Sequence, residues 1–109
     1  MLHRVGGEKL VRKMTALFFQ NAPERLAEIQ QSLSLEDRSA GERAAHSLKS
    51  SAGQLGAIKL QQLCDGIENA LHAADVGTVR DLLLDAEAQL DFAISHFQSQ
   101  LHLYDNPLL

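Results

Sequence analysis

The chain has 109 residues, of which 45% are hydrophobic and 22% charged, and its formal net charge is −4. This length predicts one domain over residues 1–109, and a core of this size together with the balance of apolar and charged residues argues against disorder. An acidic chain lacks the basic surface that nucleic acids require, and no stretch approaches the roughly 20 apolar residues of a membrane span. Because no signal peptide is visible, the sequence predicts a cytoplasmic protein that binds neither nucleic acid nor membranes.

The first predicted element is a long amphipathic helix over residues 8–34, because apolar residues recur there every three or four positions. The stripe comprises Leu10, Met14, Leu17, Phe18, Ala22, Leu26, Ile29 and Leu33. Pro23 interrupts this segment, and Asn21 or Ala22 could instead cap a second helix that has Pro23 in its first turn. The apolar phase continues through Pro23, so we favour one helix that is kinked at this proline.

The second predicted helix begins near Ser39, where Ser39 and Glu42 have the spacing of a capping box. It should end between Gly53 and Gly56, because glycine readily adopts the left-handed conformation of a helix C-cap. Its apolar stripe comprises Ala44, Ala45, Leu48, Ala52 and Leu55.

Two more helices complete the predicted fold. The third covers about residues 57–74 and contains Cys64, which we expect to be a small buried residue. The fourth is expected to be capped by Thr78, with Asp81 at its third position, and Asn106-Pro107 should end the ordered chain. The apolar positions of the third helix are Leu60, Leu63, Cys64, Ile67, Ala70, Leu71 and Ala74. Those of the fourth helix are Val79, Leu82, Leu83, Ala86, Leu90, Ile94, Phe97 and Leu101. Short connections predict an all-α, antiparallel up-down-up-down four-helix bundle.

Four residues of the second helix form the strongest candidate site. His46, Lys49, Ser50 and Gly53 lie at i, i+3, i+4 and i+7, so they share one helix face opposite the apolar stripe. His46 should therefore point to solvent between small neighbours, and a glycine inside a helix costs about 1 kcal/mol relative to alanine. This cost suggests that another molecule must approach the histidine closely.

Three interpretations of His46 differ in chemistry. It could be an exposed residue without a role, just as Lys49 could be a solvated surface lysine. A metal site is disfavoured, because Glu42 is the one carboxylate close to His46 in the sequence and Lys49 would repel a cation. A nucleophilic imidazole fits best, since no serine or cysteine nucleophile has a suitable setting and Lys49 suits a negatively charged group such as a phosphoryl oxygen.

The chain resembles the histidine-containing phosphotransfer (HPt) domain family over nearly its whole length. The similarity rests on His46-Ser-Leu-Lys49 and Gly53, on Gly56-Ala57 and the residues after it to Ile67-Glu68, and on the segment from Phe18 to Pro23. The family usually has glycine at the position of Ser50. Serine is small enough to keep access to the histidine, and its hydroxyl could reach the phosphoryl group.

The resemblance implies a relay protein without kinase activity of its own. His46 would be phosphorylated through its distal ring nitrogen, and Lys49 would stabilise the phosphoryl charge. Receiver domains of response regulators and a sensor or hybrid histidine kinase would be the partners, and Mg²⁺ is expected on the receiver rather than on this chain. The docking surface would include Arg43, Ser50, Gly53, Gln54 and Ala57, and the chain should be a monomer.

Other interpretations lead to different experiments. The chain could be an adaptor that docks a receiver or kinase without transfer, the phosphate-accepting domain of a chemotaxis-type kinase, or a structural bundle. We expect no general base beside His46, which would protect a phosphohistidine from hydrolysis. The other histidines are expected to have no role; they are His3, His72, His96 and His102.

Overall fold

A computed structural model describes residues 7–105, with side chains for residues 7–101. The helices are α1 (Gly7–Ser34), α2 (Arg38–Gln54), α3 (Ile58–His72) and α4 (Val76–Asp105). No strand occurs among these residues, which confirms the all-α prediction. The expected end of the ordered chain at Asn106-Pro107 and residue His3 lie outside the described residues.

The first helix runs without interruption from Gly7 to Ser34 and contains Pro23. This confirms one helix rather than two, because Asn21 and Ala22 are ordinary helical residues and not caps. The kink at Pro23 and the up-down-up-down order of the whole bundle stay predictions.

The starts of α2 and α4 differ from the sequence-based expectation. Asp37 caps α2 by accepting a hydrogen bond from the backbone N–H of Ala40 at 3.2 Å. In α4, Asp75 accepts from the N–H of Thr78 at 3.2 Å and from its hydroxyl at 2.6 Å. The predictions that Ser39 and Thr78 are the caps are therefore wrong. In each case an ionised aspartate just outside the helix satisfies the free N–H groups and also interacts favourably with the positive end of the helix dipole.

The Asp75 cap makes stability depend on pH. The hydrogen bonds from the Thr78 hydroxyl and backbone N–H lower the pKa of Asp75 below its ordinary value of 3.8. A lowered pKa means a stabilisation that is present above the unfolded-state pKa and is lost as the pH falls through the folded-state pKa. We expect Asp75→Ala to lower the melting temperature at neutral pH, and this difference should vanish in strong acid. A difference that persists undiminished in acid would contradict this role, and melting curves by circular dichroism provide the measurement.

The core lies between the inner faces of all four helices. Its buried members are Phe18, Ala22, Leu26, Ile29, Ala44, Ala45, Leu48, Ala52, Leu60, Cys64, Ile67, Ala70, Leu71, Val79, Leu83, Ala86, Leu90 and Ala93. Phe18 of α1 and Phe97 of α4 meet edge to face with ring centroids 5.9 Å apart, so the first and last helices also contact each other. Most of the predicted stripes are confirmed by this set.

Three predicted core positions are exposed. Leu10 and Leu17 of α1 are 51% and 48% exposed, whereas Thr15 is buried and donates its hydroxyl to the Val11 carbonyl at 2.7 Å. Periodicity identified the apolar residues of this helix, but it could not show which of them neighbouring helices cover. Ala74 is exposed because it lies beyond the end of α3, with a positive φ of 59°.

Cys64 is fully buried in α3, as predicted. Burial raises the pKa of its thiol to about 12, and the thiolate is the reactive form of cysteine. We expect the native protein to resist alkylation by iodoacetamide at neutral pH and to become reactive only when denatured. Rapid modification of the native chain, followed by mass spectrometry, would show that α3 opens readily.

Candidate functional site

The packing of α2 sets the orientation of His46. Ala44, Ala45 and Leu48 are buried against the rest of the bundle, and the two alanines allow the helix to approach its neighbours closely. His46 lies on the opposite side of the helix, where its side chain is 62% exposed. The predicted exposure of this imidazole is confirmed.

One ring nitrogen of His46 contacts a carboxylate of α3. The Nδ1 atom lies 3.1 Å from Oε2 of Glu68. An ionised carboxylate can only accept a hydrogen bond, so the contact favours the tautomer in which Nδ1 carries the proton. The lone pair is then on Nε2, which points away from Glu68 across the ring. This arrangement leaves Nε2 as the nucleophilic nitrogen of an exposed imidazole.

The other oxygen of Glu68 holds Lys49. Lys49 Nζ lies 2.7 Å from Glu68 Oε1 and 3.2 Å from Asp65 Oδ1, and the lysine side chain is only 25% exposed. The hydrogen bonds to Glu68 and Asp65 raise the pKa of Lys49 above its ordinary value, so the side chain is charged at neutral pH. A chain of contacts thus runs from Asp65 through Lys49 and Glu68 to His46.

The expectation that no general base lies beside His46 is wrong. Glu42 was the one carboxylate near it in sequence, but the fold brings Glu68 to His46 and gives Glu42 a different partner, His72, at 3.1 Å. Glu68 faces Nδ1 and not Nε2, so it is not placed to activate water at a group bound to Nε2. The expected persistence of a phosphohistidine therefore has a different physical basis from the one predicted.

A simple register explains why these residues meet. In four of the contacts between α2 and α3, the two residues are equally far along the chain from Ala57. These contacting pairs are His46 with Glu68, Lys49 with Asp65, Glu42 with His72, and Gly53 with Gln61. As the residue number of the α2 partner increases, that of its α3 partner decreases, so the two helices are antiparallel. Once the turn at Gly56-Ala57 is recognised, this symmetry offers a sequence signal for Glu68 and Asp65.

A shallow open depression lies beside His46, lined mostly by residues of α2 and also by Glu68 of α3. Its α2 lining residues are Ser39, Glu42, Arg43, His46, Ser47, Ser50, Ser51 and Gln54. Three of the predicted docking residues, Arg43, Ser50 and Gln54, are therefore brought together with the histidine. Ser51 and Gln54 also border a second depression, between α1 and α2, to which Met14 and Leu17 contribute apolar surface.

Two other predicted docking residues have different surroundings. A Cβ atom added to Gly53 would clash with the side-chain amide of Gln61, so the close approach that this glycine permits is made by α3. Ala57 precedes α3 and lines an apolar depression with Ile58 and Phe92. Their role in docking stays a prediction.

Neither His72 nor His96 lines the depression beside His46. His72 is 86% exposed and pairs with Glu42, and His96 of α4 stacks on Phe92 with ring centroids 6.5 Å apart. The side chain of His102 lies outside the described residues. Among the side chains described for residues 7–101, no group of three histidine, cysteine, aspartate or glutamate side chains could hold a metal ion. No helix in that range combines the length and hydropathy needed to cross a bilayer.

Comparison with known proteins identifies one family. A family model described as the Hpt domain matches residues 13–101. The comparison with curated proteins and the comparison with solved structures gave no match.

Proposed function

Because the chain belongs to the Hpt domain family, we propose that it is a phosphorelay intermediate of two-component signalling that carries a phosphoryl group on Nε2 of His46. The family consists of phosphocarrier modules that work with receiver domains and histidine kinases and are not kinases themselves. One observation carries the assignment to His46. Its imidazole is 62% exposed, and the 3.1 Å contact of Nδ1 with Glu68 leaves Nε2 as the ring nitrogen with a free lone pair.

In the proposed reaction the donor is an aspartyl phosphate on a receiver domain. The Nε2 lone pair attacks phosphorus in line, an N–P bond forms, and the P–O bond to the aspartate breaks, with its electron pair leaving on the carboxylate. The proton on Nδ1 remains in place, so the phosphorylated ring becomes a cation. Transfer to a second receiver reverses these steps.

Glu68 supports this chemistry in both directions. Before transfer it selects the Nδ1-protonated tautomer, and afterwards its negative charge stabilises the cationic phosphoimidazole. A cationic ring is also the better leaving group when the phosphoryl group moves on. Lys49 in turn fixes the orientation of the Glu68 carboxylate, because each of the two oxygens has a different partner.

The partner would supply what this chain lacks. Receiver domains carry the aspartate, and Mg²⁺ is expected on the receiver, where it would offset the charge of the phosphoryl oxygens. Such contacts are transient, so we expect a small docking surface with a polar rim. The depression with Arg43, Ser50 and Gln54, continued by Met14 and Leu17 of α1, is the surface that suits this role.

Phosphoryl transfer from a panel of radiolabelled phospho-receivers, together with autophosphorylated histidine kinases, tests the proposal. We expect acid-labile, base-stable label on the native chain from at least one receiver. Label from kinases but from no receiver would favour the phosphate-accepting domain of a chemotaxis-type kinase. No label from any donor, with native circular dichroism, would favour an adaptor or a structural bundle.

A further inference from the structure

We propose that Arg43, rather than Lys49, is the cation that contacts the phosphoryl oxygens on His46; this inference rests on the proposed function. Lys49 was expected to have this role because it follows the histidine by three residues. The structure gives Lys49 two carboxylate partners on α3. An ammonium group already held by Glu68 and Asp65 would have to leave both of them to reach another anion.

The two cations lie on opposite sides of His46. At about 100° per residue, positions 49 and 53 fall on one side of residue 46 around the helix, and positions 43, 47 and 50 fall on the other. The first side faces α3, as the contacts of Lys49 with Asp65 and of Gly53 with Gln61 show. The second side carries Arg43 and borders the open depression.

The orientation of the imidazole then decides which cation meets the phosphoryl group. Nδ1 contacts Glu68 of α3 and the imidazole lines the depression, so we place the other ring nitrogen, Nε2, at the depression. A phosphoryl group on Nε2 would lie on the side of Arg43 and Ser50. The carboxylates of Glu42 and Glu68 also line this depression, so a phosphoryl group there needs a cation beside it; Arg43 is among the lining residues and Lys49 is not.

Arg43 is available for this contact. It is exposed one turn before His46, and no hydrogen bond or ion pair joins it to any of the described residues 7–101. A guanidinium group presents a planar fork of N–H donors that can bind two phosphoryl oxygens at once. The Ser50 hydroxyl, at the position where the family usually has glycine, is placed to donate a further hydrogen bond.

Small-molecule phosphorylation separates this contact from partner docking. Phosphoramidate can phosphorylate an imidazole without any protein interface; Nε2 bonds to phosphorus, the P–N bond breaks, and ammonia leaves with a proton from solvent. We expect Arg43→Gln to slow labelling of His46 by phosphoramidate about tenfold, since a hydrogen bond to a charged group is lost. Arg43→Lys should recover part of the rate, and Arg80→Gln, which removes an exposed arginine from α4, should match the native chain.

The ionisation of the phosphoryl group, followed by ³¹P NMR as the pH is changed, gives a second test. Its midpoint would not change if Arg43 had only a structural role. A nearby guanidinium favours the doubly ionised phosphoryl group, so Arg43→Gln should shift the ionisation midpoint to higher pH. Lys49→Met should leave this midpoint close to the native value, although it can slow transfer through Glu68.

Several outcomes would overturn the inference. These are an unchanged rate and midpoint in Arg43→Gln, a midpoint that moves in Lys49→Met instead, or a rate loss that occurs with phospho-receivers but not with phosphoramidate. The last result would make Arg43 a docking residue only. Failure of every receiver to label a native chain that phosphoramidate labels at His46 would refute the proposed function while leaving the Arg43 contact measurable. If phosphoramidate does not label His46 but a phospho-receiver does, the inference about Arg43 is wrong and the proposed function stands; if neither donor labels His46, both proposals are wrong.

Discussion

Replacement of His46 by glutamine should abolish phosphoryl transfer, with a loss of at least about a thousandfold, because it removes the attacking atom itself. A glutamine amide can still donate a hydrogen bond to Glu68, so the local contacts are largely kept. It has no nitrogen lone pair comparable to that of Nε2. Since His46 is exposed, the variant should fold as the native chain does; surface substitutions usually change stability by less than about 0.5 kcal/mol.

The matched control for this variant is His72→Gln. His72 is also exposed and also contacts a glutamate through Nδ1, at the same 3.1 Å distance. It differs in lying at the end of α3 and in not lining the depression beside His46, although its partner Glu42 does. Native labelling of His72→Gln with none on His46→Gln would assign the phosphoryl group to one histidine. The reverse pattern would place the phosphorylation site at His72 and refute the mechanism proposed for His46.

Replacement of Glu68 by alanine should slow transfer by about 10- to 100-fold, the usual effect of removing a residue that orients a reactive imidazole. Without the carboxylate, the ring proton can lie on either nitrogen and the phosphorylated ring loses its stabilising negative charge. We expect the fold to be retained, because the side chains of Glu68 and Lys49 are each 25% exposed and solvent partly screens their ion pair. Rapid-quench kinetics with a labelling phospho-receiver measure the rate, and circular dichroism checks the fold.

The contact between Lys49 and Glu68 makes a sharper version of this experiment possible. In Glu68→Gln, the amide oxygen can accept from His46 only if the amide NH₂ group faces the Lys49 ammonium, so two donors would oppose each other. We therefore expect Glu68→Gln to be slow and the double variant with Lys49→Met to be faster than Glu68→Gln alone, a non-additive pair. Asp65→Asn is the control, since it leaves the Glu68 contacts with both residues in place. Simple additivity, or a native rate in Glu68→Ala, would show that Glu68 does not position His46.

The contact between His46 and Glu68 also explains how a phosphohistidine can persist beside a carboxylate. A general base that faced phosphorus could activate water and hydrolyse the N–P bond. Glu68 instead contacts Nδ1, on the other side of the ring from the group that Nε2 would carry. The same carboxylate can therefore promote transfer between proteins without promoting transfer to water.

Local patterns in the sequence were sufficient for the elements and for the exposed histidine. Helical periodicity located all four helices, and the spacing of His46 against Ala44, Ala45 and Leu48 predicted correctly which face of α2 meets solvent. These inferences succeed because a residue's direction around a helix depends only on its distance along the chain. The motif around His46 indicated the family together with the residues from Gly56-Ala57 to Ile67-Glu68 and the segment from Phe18 to Pro23.

Interactions between helices could not be inferred in this way. The sequence suggested a free Lys49, no carboxylate beside His46, and an approach to Gly53 by a partner. In the structure Lys49 and His46 share Glu68, and Gly53 accommodates Gln61. Each difference arises because α3 packs antiparallel to α2 and brings residues 8 to 22 positions away into contact. The sequence by itself determined the helices, the family and the exposed imidazole, whereas the tertiary structure decided which nitrogen of that imidazole is available and which charges surround it, because those depend on the register between two helices.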